Sequence, residues 1–272
     1  HHKQLTREKT LKKLKEEKHV KYISIVHDVE ELRAFRYNEY YKKEFETMIE
    51  LADIMVVHNN KMYNWFVENG IEEHKLVNLE IFDYIQNADK NKQINFSKAI
   101  TVAGNLDTTK CQYISQLGKI EGVKINLYGS NFDENMKKYS NIAYKGSFPV
   151  DKIPQKLDEG FGLVWDGESI DGCLGLSGQY LKYNNPHKLS LYLSSGLPVI
   201  IWNEAAEAGL VKRYNVGICI KNLYELNDVM RGITENDYKN MLNNVKSLRD
   251  KLVEGYFSEK AIKAACRKLE VK

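Results

Sequence analysis

Tyr183-Asn184-Asn185-Pro186-His187-Lys188 is the stretch that decides the fold of this chain, because it opens a short helix that an apolar strand follows. Asn185 can cap that helix, Pro186 suits its first position, and Gly196 can end it in a left-handed turn. The helix is apolar on more than one face, so we expect it to lie against a sheet. The apolar run at 199–201 predicts a strand of that sheet.

The start of this helix is a candidate phosphate site. The first N–H groups of a helix have no partner within it, and the helix dipole adds positive potential there. Lys188 places a full charge within reach of the same anion, so a diphosphate would suit the position. The preceding segment 171–183 carries three glycines and predicts a ligand-covering loop. The alternative stays open that Asn185 and Pro186 are ordinary helix punctuation and Lys188 is a solvated surface lysine.

Composition excludes two classes of protein. The chain has 272 residues, 43% of them hydrophobic, and its length favours two domains. No apolar run approaches the ~20 residues that span a bilayer, which argues against an integral membrane protein. The formal net charge of +3 is nearly balanced and argues against nucleic acid as a partner. The four cysteines lie far apart without metal-ligand spacing, so we expect reduced thiols in a cytoplasmic protein.

The beginning of the chain is basic. Residues 3–18 carry seven lysines and arginines among few apolar positions. Basic residues are attracted to anionic lipid, so a peripheral place at the inner face of the membrane is one interpretation. The thin apolar stripe favours the other, a solvated helix that packs a few leucines on the first strand.

Apolar runs and helical patterns alternate along the chain, which is typical of parallel sheets with crossover helices. Strands are predicted at 21–27, 53–57 and 75–79, before a polar stretch at 83–97 that we interpret as a linker. Asn60 is predicted to cap a helix that runs from Lys61 to Gly70. Further strands are predicted at 99–103, 124–128, 142–144, 161–165, 198–201 and 217–220. The sequence thus predicts an α/β protein with a first Rossmann-like domain in residues 1–90, a doubly wound domain in 97–252 and a final helix in 253–272.

The carboxyl ends of parallel strands meet at one edge of a sheet, where doubly wound domains bind their ligands. By that rule the helix start shares a cleft with Gly104, Asn105, Tyr128 and Asp166. Asp107 is expected to cap the next helix, with Lys110 in its first turn. The turn at Gly104 matches neither a dinucleotide fingerprint nor a Walker loop, so nicotinamide and ATP-hydrolysis functions lose support. A plain tight turn remains the alternative.

Several motifs together resemble a known enzyme family. They are Ala103-Gly104-Asn105-Leu106, Phe161-Gly162-Leu163-Val164-Trp165, the stretch 183–188 and Gly196-Leu197-Pro198-Val199-Ile200. This series resembles the GT-B-type bacterial glycosyltransferases of the β-1,6-galactofuranosyltransferase family and the glucosyltransferases of serine-rich-repeat adhesins. Residues 27–33, 52–57 and 61–62 resemble the second half of that family's N-terminal domain. The likeness covers most of residues 20–265.

The resemblance implies two facing Rossmann-like domains, a nucleotide-sugar donor held mainly by the C-terminal one, and no required metal or other cofactor. It also implies that the helix at 253–272 crosses back to the N-terminal domain. With three strands before the linker, that N-terminal domain is expected to be incomplete or reduced. The chain departs from the family at Thr108 and Thr109, where members often carry a basic residue, and this leaves the second phosphate contact open.

The resemblance also implies roles for single residues. It assigns the donor diphosphate to Lys188 and the adjoining helix start, with Asn184, Asn185 and His187. In the same cleft it places Gly104, Asn105, Lys110 and Tyr128. Asp166 is expected to face the sugar or the ribose.

Glycosyl transfer from a nucleoside diphosphate needs a stabilised leaving group and a deprotonated acceptor hydroxyl. Lys188 and the helix dipole suit the first task without Mg²⁺. His27 and Asp28 end the first predicted strand, and we predict them as the base. The alternatives are that strand-end hydrogen bonds satisfy His27 and that Asp28 caps the following helix.

The sequence therefore predicts a glycosyltransferase that moves a galactofuranosyl or glucosyl group from a UDP-sugar to a hydroxyl of a glycan or glycoprotein. Two other functions stay open. One is a noncatalytic GT-B-like subunit that binds a partner transferase or a glycan, and the other is a nucleotide-binding regulatory domain. Self-association is open as well.

Overall fold

A computed structural model describes residues 2–33, 39–87 and 92–270 of the chain, and its side chains from Arg7 onward. The chain divides into two compact units, one of His1–Ile81 with Phe257–Lys272 and one of Phe82–Tyr256. Each unit has a parallel sheet with helices between its strands. The predicted α/β class is confirmed.

The first unit alternates short strands with helices. Its elements are α1 (His2–Lys18), β1 (Ile23–Ile25), α2 (Glu30–Arg33), α3 (Glu39–Leu51), β2 (Ile54–Val57), α4 (Asn60–Glu68) and β3 (Leu76–Asn78). The strands lie in the order β1-β2-β3, and all pairs are parallel. The central strand, β2, is buried along its whole length, which explains its unbroken apolar sequence.

Helix α4 begins one residue earlier than predicted. The expected cap was Asn60, but Asn59 has the extended backbone of a cap and its Oδ1 accepts from the N–H groups of Lys61 and Met62 at 2.9 and 3.1 Å. The side chain of Asn60 instead accepts from Asn78 at 2.5 Å. Of the two adjacent asparagines, Asn59 caps the helix, while the side chain of Asn60 is hydrogen-bonded to Asn78 in β3.

Directly after β2, the imidazole of His58 is 1% exposed, and its Nε2–H donates to the Val26 carbonyl at 3.1 Å. Burial lowers the pKa of His58 from 6.5 to about 4, although its hydrogen bonds with the backbone of His27 and Val26 and the charge of Asp28 oppose the shift. His58 is therefore neutral in the folded protein at neutral pH.

We expect the free energy of unfolding to fall as the pH drops from 6.5 to about 4. In this window His58 binds a proton in the unfolded chain but stays neutral in the folded one. The free energy of unfolding therefore falls by on the order of 3 kcal/mol. Above pH 6.5 the contribution is constant. Urea unfolding at a series of pH values measures it. His58→Asn should remove this part of the pH dependence, and an unchanged profile in that variant would assign it to other groups.

Polar contacts attach helix α1 to the rest of the first unit. The Lys15 ammonium donates to the carbonyl of Leu51 at 2.7 Å and pairs with Asp53 at 3.2 Å, and the Tyr22 hydroxyl donates to the carbonyl of Leu11 at 2.9 Å. These contacts favour the interpretation of α1 as a solvated helix that packs near the first strand. Within the described ranges, no helix has the length and apolar character needed to cross a lipid bilayer.

The second unit contains the larger sheet. Its elements are β4 (Asn95–Ala103), α5 (Tyr113–Gln116), β5 (Ile125–Tyr128), β6 (Ile142–Gly146), α6 (Ile153–Lys156), β7 (Glu159–Val164), α7 (Gly175–Tyr180), α8 (His187–Ser195), β8 (Val199–Trp202), α9 (Ala208–Tyr214), β9 (Gly217–Ile220), α10 (Leu226–Gly232) and α11 (Glu235–Glu254). The strand order is β6-β5-β4-β7-β8-β9, all parallel.

Helix α8 forms the centre of the core of this unit. All of its residues from Leu189 to Ser195 are buried, as its apolar pattern predicts for a helix against a sheet. It ends at Gly196, whose φ of 94° is left-handed, and the Gly196 N–H closes onto the carbonyls of Tyr192 and Leu193. The predicted helix end is therefore confirmed.

The polar stretch after the first unit is attached to α8. The Ser190 hydroxyl donates to the Phe82 carbonyl at 2.6 Å, and the Gln86 amide donates to the carbonyl of Ser194 at 2.8 Å. The Lys92 ammonium donates to three carbonyls, one of them Ser195 O at 3.1 Å at the end of α8. Residues 82–87 and 92 thus belong to the second unit, and β4 begins at Asn95.

The last helix, α12 (Tyr256–Lys268), groups from Phe257 onward with the first unit. The Lys268 ammonium donates to the carbonyls of Glu73 and Leu76 at 3.1 and 2.9 Å. The side chain of Lys260 pairs with Glu80 in the same unit.

Candidate active site

The strand order of the second unit places a crevice between β4 and β7. From β4 the chain moves outward to β5 and β6, and from β7 it moves in the opposite direction to β8 and β9. Such a reversal separates the loops that leave the two central strands, and ligands bind there at the carboxyl ends. The residues that follow β4 and β7 therefore form the candidate site.

Helix α8 begins one residue later than predicted. The expected cap was Asn185 with Pro186 at the first helical position, but Pro186 is the cap and His187 is the first helical residue. Pro186 has an extended backbone (φ −70°, ψ 127°), and its own side chain makes no capping hydrogen bond. The Asn185 side chain is buried, with the residue 3% exposed, and is not the cap.

Lys188, in the first turn of α8, lies at the crevice. Its Nζ donates to the carbonyl of Trp165 at 3.3 Å, just after β7. A Cβ on Gly104, just after β4, would contact Lys188 Cε at 3.7 Å. The structure therefore brings together residues from three separate motifs, because the two strand ends and the helix start meet at the switch point.

The charge of Lys188 is faced by one acid. Burial of this half-buried side chain favours the neutral amine, but Asp166 outweighs it, with smaller contributions from Tyr192 and two thiols, so the pKa of Lys188 is raised. Among the described residues Lys188 makes no ion pair within 4.0 Å. It is an ammonium group whose acidic neighbour lies outside ion-pair distance, which leaves it able to bind an anion.

The Gly104 turn is held tightly against the end of β5. The Gly104 N–H donates to the carbonyl of Tyr128 at 2.9 Å, and Asn105 Oδ1 accepts from the Asn131 amide at 2.9 Å. Gly129 has a φ of +149°, and a Cβ there would lie 1.6 Å from Gly104 O. Only glycine lets the two turns approach so closely. Gly104 and Asn105 are exposed, as residues that line a cleft must be.

The prediction for Asp107 and Lys110 is wrong in its local structure. The Asp107 carboxylate accepts from the N–H and hydroxyl of Thr109 at 2.9 and 2.6 Å, which is an Asx turn and not a helix cap. The α-helix begins only at Tyr113. Lys110 is therefore an exposed residue of a turn, and the structure gives it no contact with Lys188.

Three other predicted residues lie near the helix start or the β5 end. The Tyr128 hydroxyl donates to the Lys156 carbonyl at 3.3 Å, so this buried side chain serves packing while its backbone meets Gly104. The ring of His187 stacks on Phe82 at 4.8 Å between centroids. Asn184 Oδ1 is buried without a hydrogen-bond partner among the described residues.

Beneath Lys188, Asp166 lies with two residues that the sequence did not reveal, Cys111 and Tyr113. The Cys111 thiol donates to Asp166 Oδ1 at 3.6 Å, and the Lys188 ammonium lies 6.0 Å from the ring centre of Tyr113. Burial and the Asp166 charge raise the pKa of Cys111 to about 11, so it is a neutral donor and not a nucleophile. Tyr113 is 0% exposed, and its hydroxyl has no partner in the described part of the chain. Asp166 was expected here from its place after a strand, but no pattern in the sequence marks Cys111 or Tyr113, and 55 positions separate Cys111 from Asp166.

The predicted base residues lie in the first unit, after β1. His27 is exposed, and its Nδ1 lies 3.3 Å from Asp28 Oδ2, which also accepts from Arg33 at 3.0 Å. Nearby, burial raises the pKa of Glu30, although Arg33 opposes the shift, and Glu30 Oε2 has no partner among the described residues. Glu30 is a second candidate base that the sequence did not single out.

Comparisons with known proteins decide the family. A model described as glucosyltransferase 3-like, C-terminal domain, matches residues 100–265, and its N-terminal counterpart matches residues 1–81. The chain belongs to the glucosyltransferase 3-like family. The family resemblance stated from the sequence motifs is confirmed.

Individual relatives agree with this glycosyltransferase assignment. Beta-1,6-galactofuranosyltransferase WbbI of Escherichia coli is 31% identical over 243 residues, which cover 87% of this chain and 69% of that protein. Glucosyltransferase 3 of Streptococcus gordonii is 24% identical over 243 residues, which cover 89% of this chain and 70% of that protein. The chain is thus a glycosyltransferase, and the noncatalytic alternative loses support.

Solved structures agree with the fold of this glycosyltransferase. HepE from Anabaena, solved in complex with UDP and glucose, matches 94% of this chain and 75% of its own with a TM-score of 0.59 and 13% identity. At that identity the likeness concerns the fold alone. The predicted GT-B-like, Rossmann-like architecture is confirmed.

Proposed function

We propose that this glycosyltransferase moves a hexosyl group from a UDP-sugar to a hydroxyl of a glycan or glycoprotein acceptor. The observation that carries the proposal is the Lys188 ammonium, charged and without an ion-pair partner among the described residues, at the crevice between β4 and β7. A diphosphate would supply a counter-charge within ion-pair distance. The complex of HepE with UDP, in the same fold, supports a nucleoside diphosphate as the ligand.

The chemistry of Lys188 follows from the charge of the leaving group. When the bond from the sugar to the diphosphate breaks, negative charge develops on the phosphate oxygen that leaves. Lys188 and the N–H groups at the start of α8 would stabilise it, since both present positive potential at the same place. Gly104 and Asn105 would let the diphosphate approach the backbone of the β4 turn.

The hexosyl group is proposed from the relatives. One is named a galactofuranosyltransferase and another a glucosyltransferase, so the donor would be UDP-galactofuranose or UDP-glucose. Asp166 is the acid whose charge raises the pKa of Lys188, and it would face the sugar or the ribose. A glycan or glycoprotein would be the acceptor, as the sequence predicts.

The base for the acceptor hydroxyl is proposed to be His27 with Asp28. A neutral imidazole can take a proton, and the carboxylate beside it stabilises the imidazolium that results. The separation of 3.3 Å between His27 Nδ1 and Asp28 Oδ2 supports this pairing. The bond from Arg33 holds Asp28 in place as an acceptor.

We expect UDP to raise the melting temperature of the protein in the absence of added Mg²⁺. Lys188 and the start of α8 would then neutralise the diphosphate themselves, so no divalent cation is required. A thermal-shift titration with UDP, in buffer with and without EDTA, measures the effect. Uridine, which lacks the phosphates, is the control and should raise the melting temperature less. Loss of the UDP shift on adding EDTA would contradict metal-independent binding.

A further inference from the structure

Tyr192 occupies the seam between β4 and β7 at the crevice. Its ring is 0% exposed, and its hydroxyl accepts from the N–H of Ala103, the last residue of β4, at 2.8 Å. The ring stands where Gly162 of β7 has no side chain, since a Cβ there would lie 2.1 Å from Tyr192 Cγ. The tyrosine therefore contacts both central strands.

The hydroxyl replaces a partner that the sheet does not supply. The N–H groups of Ile100 and Gly104 donate to the carbonyls of Lys124 and Tyr128, on the β5 side. Residues alternate in direction along a strand, so the N–H of Ala103 points toward β7. The last β4–β7 pair in the register is Thr101 with Gly162, and beyond it the Ala103 N–H meets Tyr192. Tyr192 thus ends the ladder where the crevice opens.

Tyr192 and Lys188 lie on the same face of α8. They are four residues apart, one turn of a helix, and each is close enough to the other to influence its pKa. A hydrogen bond that fixes Tyr192 to β4 therefore fixes the height and rotation of the turn that carries Lys188.

We propose that Tyr192 is a positioning residue for Lys188. The bond from the Ala103 N–H to the Tyr192 hydroxyl holds the first turn of α8 in the register that directs the ammonium to the crevice. Tyr192 does not touch the donor. This inference rests on the proposed diphosphate site and adds a residue that acts on it through the helix.

The test is Tyr192→Phe, which keeps the ring over Gly162 and removes only the hydroxyl. We expect the variant to fold and to bind UDP about tenfold more weakly, which is within the range of one lost buried hydrogen bond. Uridine should bind with unchanged affinity, because Lys188 meets the phosphates and not the nucleoside. Isothermal titration calorimetry with UDP and with uridine measures both affinities.

Tyr238→Phe is the matched control. Tyr238 is also 0% exposed, and its hydroxyl donates to the carbonyl of Gly160, at the opposite end of β7 from the crevice, at 2.6 Å. This variant should lose melting temperature as Tyr192→Phe does and keep its UDP affinity. An equal change in UDP affinity in both variants, or no change in either, would overturn the positioning role.

A double variant separates this inference from the function on which it rests. In the Lys188→Ala background, Tyr192→Phe should weaken UDP no further, because the side chain that it positions is gone. An additional tenfold loss would overturn the proposal, since Tyr192 would then act on UDP independently. If Lys188→Ala alone leaves UDP affinity unchanged, the diphosphate site itself is wrong, whatever Tyr192→Phe does.

Discussion

Lys188→Ala is expected to weaken UDP binding by about 1.5–3 kcal/mol, which is the usual contribution of a hydrogen bond to a charged group. This corresponds to a factor of roughly 10 to 150 in Kd. The reason is the position of the ammonium at the crevice, where it donates to a carbonyl and has no ion-pair partner among the described residues. Titration calorimetry with UDP measures the change, and circular dichroism checks that the fold is intact.

Lys124→Ala is the control for the loss of a lysine as such. Lys124 pairs with Glu159 at 3.4 Å just before β5, at the amino edge of the same sheet and away from the crevice. Its replacement should leave UDP affinity within about twofold of the wild-type protein. Unchanged UDP affinity in Lys188→Ala would favour the alternative that Lys188 is a surface lysine without a role in binding. An equal loss of UDP affinity in both variants would mean that UDP responds to the net charge of the unit and not to Lys188 in particular.

His27→Ala is expected to lower the rate of glycosyl transfer by a factor of roughly 10² to 10⁴, the usual contribution of a general base. Asp28→Asn should lower it less, because the carboxylate would support the imidazole and not take the proton itself. UDP affinity should be nearly unchanged in both, since the proposed diphosphate contacts belong to the second unit. Steady-state kinetics with a UDP-sugar and an acceptor, alongside UDP titrations, separate the two effects.

His74→Ala is a close control for this pair. His74 is an exposed histidine of the first unit whose Nδ1 lies 2.9 Å from the Glu72 carboxylate, so its local chemistry is similar to that of His27 beside Asp28. It should keep wild-type turnover. If His27→Ala and Asp28→Asn also keep it, the base is a different group, and Glu30→Gln is then the next variant to measure.

Much of the fold could be predicted from the sequence because strands and helices leave local patterns. The apolar runs located all nine described strands of the two sheets to within a few residues. Gly196 marked the end of α8, because a left-handed residue is needed there and glycine adopts that conformation at no steric cost. Lys188 could be selected because a helix start and a lysine together suit an anion, a property of adjacent residues.

Local rules failed where neighbouring residues compete. The caps of α4 and α8 were each misplaced by one residue, since Asn60 is tied to Asn78 and the Asn185 side chain is buried. Asp107 was assigned to a helix cap, but its carboxylate closes a turn on Thr109. In each case a contact that the local pattern does not contain accompanies the observed conformation.

The sequence by itself determined the alternation of strands and helices, the family and the lysine at the start of α8. Only the tertiary structure decided what surrounds that lysine. Asp166 was expected near it from the strand-end rule, but Cys111 and Tyr113 meet it because parallel strands bring together loops that are distant in sequence. Tyr192 looked like one more apolar residue of a buried helix. Its hydroxyl accepts from the Ala103 N–H at the point where β4 and β7 separate. A buried N–H needs an acceptor, and no carbonyl of β7 is in position there.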